Sequence, residues 1–538
     1  MLNYWWVTRP KRKLSAVADI LPLVAGESLG QEWKAHTDTH ISFEEALEKS
    51  GLKRKGERRD QGGSGGRTYT AWLQSLGLVF NQASTNCLYL TLAGEAIMKG
   101  DSPVKVLKEQ VLKYQFPSAY SLLPNVDVDK RFHIHPFWLM LKLMMDSRIQ
   151  WLTTEEIGRI LATEGENETD KCYEYLVSRI LQYREVGEKC LPVDFAERYK
   201  STRSAVDFQK TLNKLDDIGN TMMNWLEFTQ LIFRERGKMS ILDDKRDEVA
   251  QIINSNIPFI SNPENHEYFQ RRYGLDPKHR KDTRNLTNTT TVTPMMIATH
   301  KIKQAFIAQS IKTPIGKITT DLIDTIAENT GIMSNIVSEV LHKEFPHGAI
   351  GGFMMNYFEM AFKGHDECRE FESATAEIFK NVFGFDAKWL GSAYSGQQVP
   401  DVLLVSGEYG YQAIIDTKAY KKYDLPATQR DRMIHHYLPD ISQYGRNDMQ
   451  TSFFSYIAGG FSNTIATPLN EIVNETGING SAMPVATFIK MAEQQAEHPF
   501  SHEEIASVFS VNRKVELTDF EIRKDDGLMV AEHYKQYD

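Results

Sequence analysis

Apolar positions in the first third of the chain fall into a helix-then-hairpin rhythm. In residues 67–94, RTYTAWLQSLGLV carries Ala71, Trp72 and Leu76 at helical spacing and stops at Gly77. Two short β-prone runs, LVF and LYLTL, then flank the polar turn NQASTN and predict a hairpin. Thr91 caps the helix that follows. A helix followed at once by a hairpin is the closing half of a winged helix-turn-helix, in which the helix enters the DNA major groove and the wing meets backbone. The same arrangement also serves protein contacts. The rhythm recurs more weakly. Residues 135–162 predict an amphipathic helix and then a second one capped by Thr153 or Thr154. Residues 223–253 predict helix, strand, a turn at 235–238, strand and helix. The pattern implies three helical modules with small wings, in tandem, without an exact sequence repeat.

Residues 285–294, NLTNTTTVTP, are rich in Thr and Asn and read as a connector. Helical periodicity returns in PMMIATHKIKQAFIAQSI, TTDLIDTIAENTGI and residues 334–345. The predicted division is a recognition region of winged-helix-like modules at 1–300, a helical bridge at 301–345, and a final domain at 346–538. In that last part, ECREFESATAEIFKNVF has helical spacing at Phe371, Ala374, Ile378, Phe379 and Val382. DVLLVS and YQAIIDTK follow as two apolar strands around the turn GEYG. The expected fold class is multi-domain α+β, with helical winged-helix modules first and an α/β domain last.

Composition changes this picture only at a few points. At 538 residues the chain exceeds what one core organises. No apolar run approaches the roughly 20 residues that span a bilayer, which argues against a membrane role. The start, MLNYWWVTRPKRKL, lacks the apolar stretch of a secretory signal. Cys87, Cys172, Cys190 and Cys368 are scattered and predict reduced thiols in a cytoplasmic protein. The net charge of −9 speaks against nucleic acid at face value, yet binding depends on where the positive charges sit. Residues 53–67 hold six basic residues against two acidic ones. These six, Lys53, Arg54, Lys55, Arg58, Arg59 and Arg67, adjoin the first hairpin module and are the expected phosphate contacts to double-stranded DNA. A second basic cluster runs through residues 271–284.

The strand YQAIIDTK ends in two opposite charges. If residues 407–410 form the turn, Ser406 pairs with Tyr411, and stepping outward brings Asp401 opposite Asp416. Directly facing residues share a face, with Cβ atoms about 5 Å apart. Lys418, two positions beyond Asp416, lies on that face too. Two close carboxylates repel unless something uses them, and a divalent cation resolves the conflict. Mg²⁺ favours a couple of carboxylate oxygens plus water and phosphate. Held between Asp401 and Asp416, it would polarise a scissile phosphate and acidify a water, with Lys418 stabilising the developing negative charge. A surface hairpin with a chance Asp-x-Lys is the competing reading. The preceding Pro400, the apolar strands and the register weigh against it.

The stretch PDVLLVSGEYGYQAIIDTKAY resembles the PD-(D/E)xK signature of restriction-type nucleases, and specifically the cleavage domain of the FokI-like type IIS restriction endonucleases. LPATQRDRMIHHYL resembles that family's dimerisation helix, and FFSYIAGGF its following core strand. Upstream, Trp6 and Trp33, RTYTAWLQSLGLV, LTLAGEAIMKG and VLKEQVLKYQFPS are similar to the N-terminal region of the AlwI-type branch. The resemblance implies Asp401 and Asp416 as metal-binding aspartates, Lys418 as catalytic lysine, and Glu372 as a helix glutamate assisting the metal. It implies a Mg²⁺-dependent enzyme of a bacterial or archaeal cell that reads a short asymmetric duplex site and cuts at a fixed distance outside it. It further implies a transient homodimer through Asp431 and His435, where the family has an arginine at the position of His435. A strand-specific nicking enzyme, or the large subunit of a heterodimeric one, would carry the same motifs. A DNA-binding protein with a degenerate nuclease domain is the reading of another class, against which the intact Asp401, Asp416 and Lys418 argue.

Overall fold

The helices and hairpins form where apolar spacing and capping residues put them. A computed structural model of the chain describes residues 2–33, 36–53, 62–119, 127–200, 206–286, 294–393 and 398–521. The helix Ser64–Ser75 buries Trp72 and Leu73 and ends before Gly77. It leads into strands β1 (Val79–Asn81) and β2 (Leu88–Leu90), an antiparallel hairpin. Thr91 Oγ1 then accepts from Gly94 N–H at 3.1 Å and starts the helix Leu92–Met98.

The second and third expected modules are one. Strand β3 (Trp151–Thr153) pairs with β5 (Lys238–Ile241), which pairs in turn with β4 (Ile232–Glu235), giving the order β3-β5-β4. The sheet joins the helix Pro136–Met145 and the helical turns after Thr153 to the long helix Phe208–Phe228. Thr153 Oγ1 accepts from Glu156 N–H at 3.2 Å while Glu156 Oε2 accepts from Thr153 N–H at 2.8 Å. This reciprocal pair closes two of the helix's free donors. The helices cross at bare backbone: a Cβ on Gly158 would meet Leu215 O at 2.3 Å, and one on Gly219 would meet Thr154 O at 2.3 Å.

By chain contacts the protein divides into two compact units. One is Met1–Ala308 with Ile323–Glu344, and the other is Gln309–Leu322 with Phe345–Asp538. The helical segment expected as a bridge is therefore shared between them. No helix among the described residues is long and apolar enough to cross a membrane, and the four cysteines are all free thiols.

The second unit is built on a mixed five-stranded sheet. Its strands are β6 (Asp386–Trp389), β7 (Val402–Ser406), β8 (Tyr411–Lys418), β9 (Gln450–Ala458) and β10 (Asn479–Pro484), in the order β10-β9-β8-β7-β6. β6-β7-β8 are antiparallel, whereas β8-β9-β10 are parallel. Strands covered on both faces read as continuous apolar runs, as β7 and β8 do. One face carries Ile414, Phe454 and Tyr456 against Met433, Tyr437, Leu469 and Ile472. An aromatic layer that includes Phe371, Phe379, Phe453, Phe488 and Phe509 adds a second core.

Candidate active site

The β7–β8 hairpin sets the site. Ser406 pairs with Tyr411 and Val402 with Ile415, so the step beyond the ladder faces Asp401 with Asp416, as the sequence register requires. Gly410, at φ +67°, makes the turn, and its N–H donates to Ser406 O at 2.9 Å. Asp401 is fixed from two sides. Its carbonyl accepts from Leu390 N–H at 2.8 Å, and its Oδ2 accepts from Thr417 N–H at 2.6 Å and Thr417 Oγ1–H at 2.9 Å.

Asp416 is almost fully buried, and its Oδ2 lies 2.5 Å from Lys418 Nζ. Apart from that lysine, the oxygen has no partner among the described residues. Burial, then the Asp416 charge, push the Asp401 carboxyl well above the ordinary carboxylate range, against the pull of Lys418. Burial works against the Lys418 ammonium, but the Asp416 and Asp401 carboxylates outweigh it and hold the group charged. An excess of negative charge enclosed at one strand end is the electrostatic setting in which a cation is favoured.

Glu372 comes from the helix Cys368–Asn381, whose Phe371, Ile378 and Phe379 are buried. Its Oε2 accepts from Trp389 Nε1–H at 3.0 Å, and its charge also raises the Asp401 carboxyl. Among the described residues, no three His, Cys, Asp or Glu side chains stand close enough to hold a metal as a set. The donors converging here are thus two carboxylates, one of them also paired with Lys418. They suit a hard cation that keeps several waters.

Three tyrosines that the sequence reading did not single out flank this edge. Tyr456 is the β9 register partner of Asp416, and Tyr423 and Tyr437 pack in the same apolar cluster. Burial, foremost, raises all three phenols, Tyr437 to about 12. Thr417, which orders Asp401, was also missed. Its place between Asp416 and Lys418 was the available signal.

The remaining predicted positions fare differently. Asp431 and His435 are both exposed, one turn apart, where the helix Ala427–Arg432 continues into a wider turn over Met433–Tyr437. Arg67 is exposed on the helix Ser64–Ser75 and donates to Gly62 O. Lys53 is turned inward: its Nζ contacts Glu44 Oε1 and lies 3.3 Å from Glu48 Oε1, with the side chain only 12% exposed. Arg54, Lys55, Arg58 and Arg59 lie outside the described residues. The second basic cluster is largely paired, with Arg271 and Arg284 3.0 and 2.7 Å from Asp282 and Lys278 3.3 Å from Asp101.

A mixed sheet thus gathers two carboxylates and an ammonium at the end of its central hairpin. Residues 331–516 match the family model described as the FokI cleavage domain. Over 151 residues the chain is 26% identical to the type II restriction enzyme StsI of Streptococcus sanguinis, a match covering 26% of this chain and 24% of that protein. Two solved structures are similar at 15% identity. The restriction endonuclease FokI aligns with a TM-score of 0.28 over 96% of this chain and 100% of its own. The BpuJ1 endonuclease binding domain, in complex with pyrene- and phenanthrene-modified DNA, aligns with a TM-score of 0.34 over 50% and 96%.

Proposed function

We propose that the chain is a type IIS restriction endonuclease. Its first unit reads a short asymmetric site in double-stranded DNA, and its second hydrolyses phosphodiester bonds at a fixed distance outside that site with Mg²⁺. The observation that carries this reading is the meeting of Asp401, Asp416 and Lys418 at one strand end, inside the segment that matches the FokI cleavage domain. Asp401 and Asp416 are the residues that would hold the cation, with Glu372 in reserve behind Trp389. A divalent cation bound there supplies Lewis acidity toward the scissile phosphate and acidifies a water.

The protein's own groups do the rest. Thr417 holds the Asp401 carboxylate in place through two donors, so little reorganisation is needed at the moment of reaction. Lys418 keeps its ammonium charged beside the reacting phosphate and stabilises negative charge as it develops. In the first unit, the element order around β3-β5-β4 supports a winged-helix reading, with the long helix Phe208–Phe228 before its wing. Arg67 supports phosphate contact beside the first hairpin, whereas Lys53 is committed to Glu44 and Glu48. Exposed Asp431 and His435 support a transient homodimer for double-strand cutting, and a cytoplasmic setting fits the four free thiols.

A histidine at 435 where the family has arginine favours a second reading, a nicking enzyme, because the pair with Asp431 is complete only when His435 is protonated. Supercoiled plasmid incubated with Mg²⁺ separates the two, giving linear DNA for an endonuclease and open circle for a nickase. Run-off sequencing of the products reads the site and the offset. Absence of cleavage with any divalent cation, on DNA of random sequence, refutes the enzymatic reading.

A further inference from the structure

One buried hydroxyl beside the charged edge has no hydrogen-bond partner among the described residues. Tyr423 follows Lys418 by one short loop and is pinned where that loop passes the end of β9. Its N–H donates to Gly460 O at 2.9 Å, and its carbonyl accepts from Ser462 N–H at 3.1 Å. The ring centroid lies 6.0 Å from that of Tyr456, 6.2 Å from that of Phe461 and 5.8 Å from that of Tyr420. Tyr456 faces Asp416 in the parallel register, so Tyr423 is held in the layer that contains Asp416 and Lys418. Tyr423 and Lys418 lie within electrostatic reach of one another.

The Tyr423 hydroxyl is fully enclosed and makes no hydrogen bond among the described residues. Packing alone does not call for it, because a phenylalanine would fill the same space without enclosing an unsatisfied oxygen. Lys418 is a donor without acceptor capacity, and its ion-pair partner is the same Asp416 oxygen a cation would claim. Once Asp416 turns to a cation, the ammonium needs another acceptor. The neutral phenol oxygen is one within the same layer.

We propose that Tyr423 is a positioning residue for Lys418: its hydroxyl oxygen accepts a hydrogen bond from the ammonium when Asp416 engages a divalent cation, and so keeps that ammonium aimed at the reacting phosphate. This rests on the cleavage reading of the same edge. The substitution Tyr423→Phe in the full chain removes the one oxygen and leaves the ring.

The first readout is thermal unfolding without DNA. In EDTA the variant unfolds at the wild-type temperature or above it, since an unpartnered hydroxyl has been removed. With Mg²⁺ alone, wild type gains more than Tyr423→Phe does. The second readout is steady-state cleavage, where kcat falls about tenfold or more with KM nearly unchanged, the loss of one hydrogen bond to a charged group. Equal Mg²⁺-induced shifts together with a wild-type kcat overturn the proposal. A variant destabilised equally in EDTA and in Mg²⁺ also overturns it, by making the hydroxyl structural. If wild type cleaves nothing, the enzymatic reading fails, while the difference in Mg²⁺-induced shifts still reads the hydrogen bond.

Discussion

Replacing Asp401 with asparagine should abolish cleavage and at the same time make the cation-free protein more stable. Facing positions on antiparallel strands place Cβ atoms about 5 Å apart. Ionising both carboxyls at about that distance, in an effective dielectric of about 20, costs about 3 kcal/mol in mutual repulsion, which is part of why the fold holds the Asp401 proton to higher pH. The variant also forfeits the attraction of Asp401 to Lys418, but asparagine keeps an oxygen for the two Thr417 donors. The balance is a gain of about 1–2 kcal/mol, read as about 2–8 °C in the melting transition of a unit of this size.

The sign has a pH signature. Burial and Asp416 raise the Asp401 carboxyl in the folded state, so the fold binds its proton where the unfolded chain has lost it. Stability of the natural protein therefore falls as pH climbs above the ordinary carboxyl range, and the asparagine variant escapes that fall. In acid, below that range, the two proteins should converge. Calorimetry in EDTA at neutral and acid pH, paired with plasmid cleavage in Mg²⁺, tests both halves. A variant that melts below wild type at neutral pH in EDTA refutes the carboxylate-repulsion argument, and one that still cuts refutes the metal assignment.

Lys418→Ala is expected to lower kcat by about 10²–10³, the cost of one lost transition-state donor, while cation affinity measured by calorimetry persists; a lost cation site would mean the role is wrong. Asp431→Ala should turn linear plasmid product into nicked product, and wild-type double-strand cutting should rise more than linearly with enzyme concentration; first-order linear product from the variant removes the dimer. Arg67→Gln should weaken binding to all duplexes alike and lower the slope of log affinity against log salt by about 1. Lys53→Gln should leave that slope unchanged and instead destabilise the first unit, because Glu44 is left buried without its cation. A changed slope for Lys53→Gln would show that the lysine leaves its partners to meet DNA.

The parts of the fold that could be read in advance are those governed by neighbours in sequence. The β7–β8 register follows from a four-residue turn and strand alternation, so the facing of Asp401 and Asp416 was legible from residues 401–418 alone. Thr91 and Thr153 announced their helices because a cap acts within one turn. Long-range pairings gave no such signal. The union of β3 with β5 joins segments far apart in the chain and merges two expected modules. The parallel register that sets Tyr456 beside Asp416 passes through an irregularity between Gln412 and Ala413, which no local pattern encodes. Lys53 shows a different limit: counting charges marks a cluster as basic, but Glu44 and Glu48 had already claimed that one.

The alternation of the two units along the chain bears on how the second one can be transplanted. Residues 309–322 belong to it although 323–344 do not. Ile315 exchanges two backbone hydrogen bonds with Ala349, at 3.2 and 2.8 Å, and Gly316 packs so closely against Asn381 O that a Cβ there would come within 2.6 Å. A fusion cut at residue 345, the obvious seam in the sequence, would discard that segment and leave a raw edge on the excised piece. A cassette beginning at 309 would carry the segment and, with it, the 323–344 excursion as an insert.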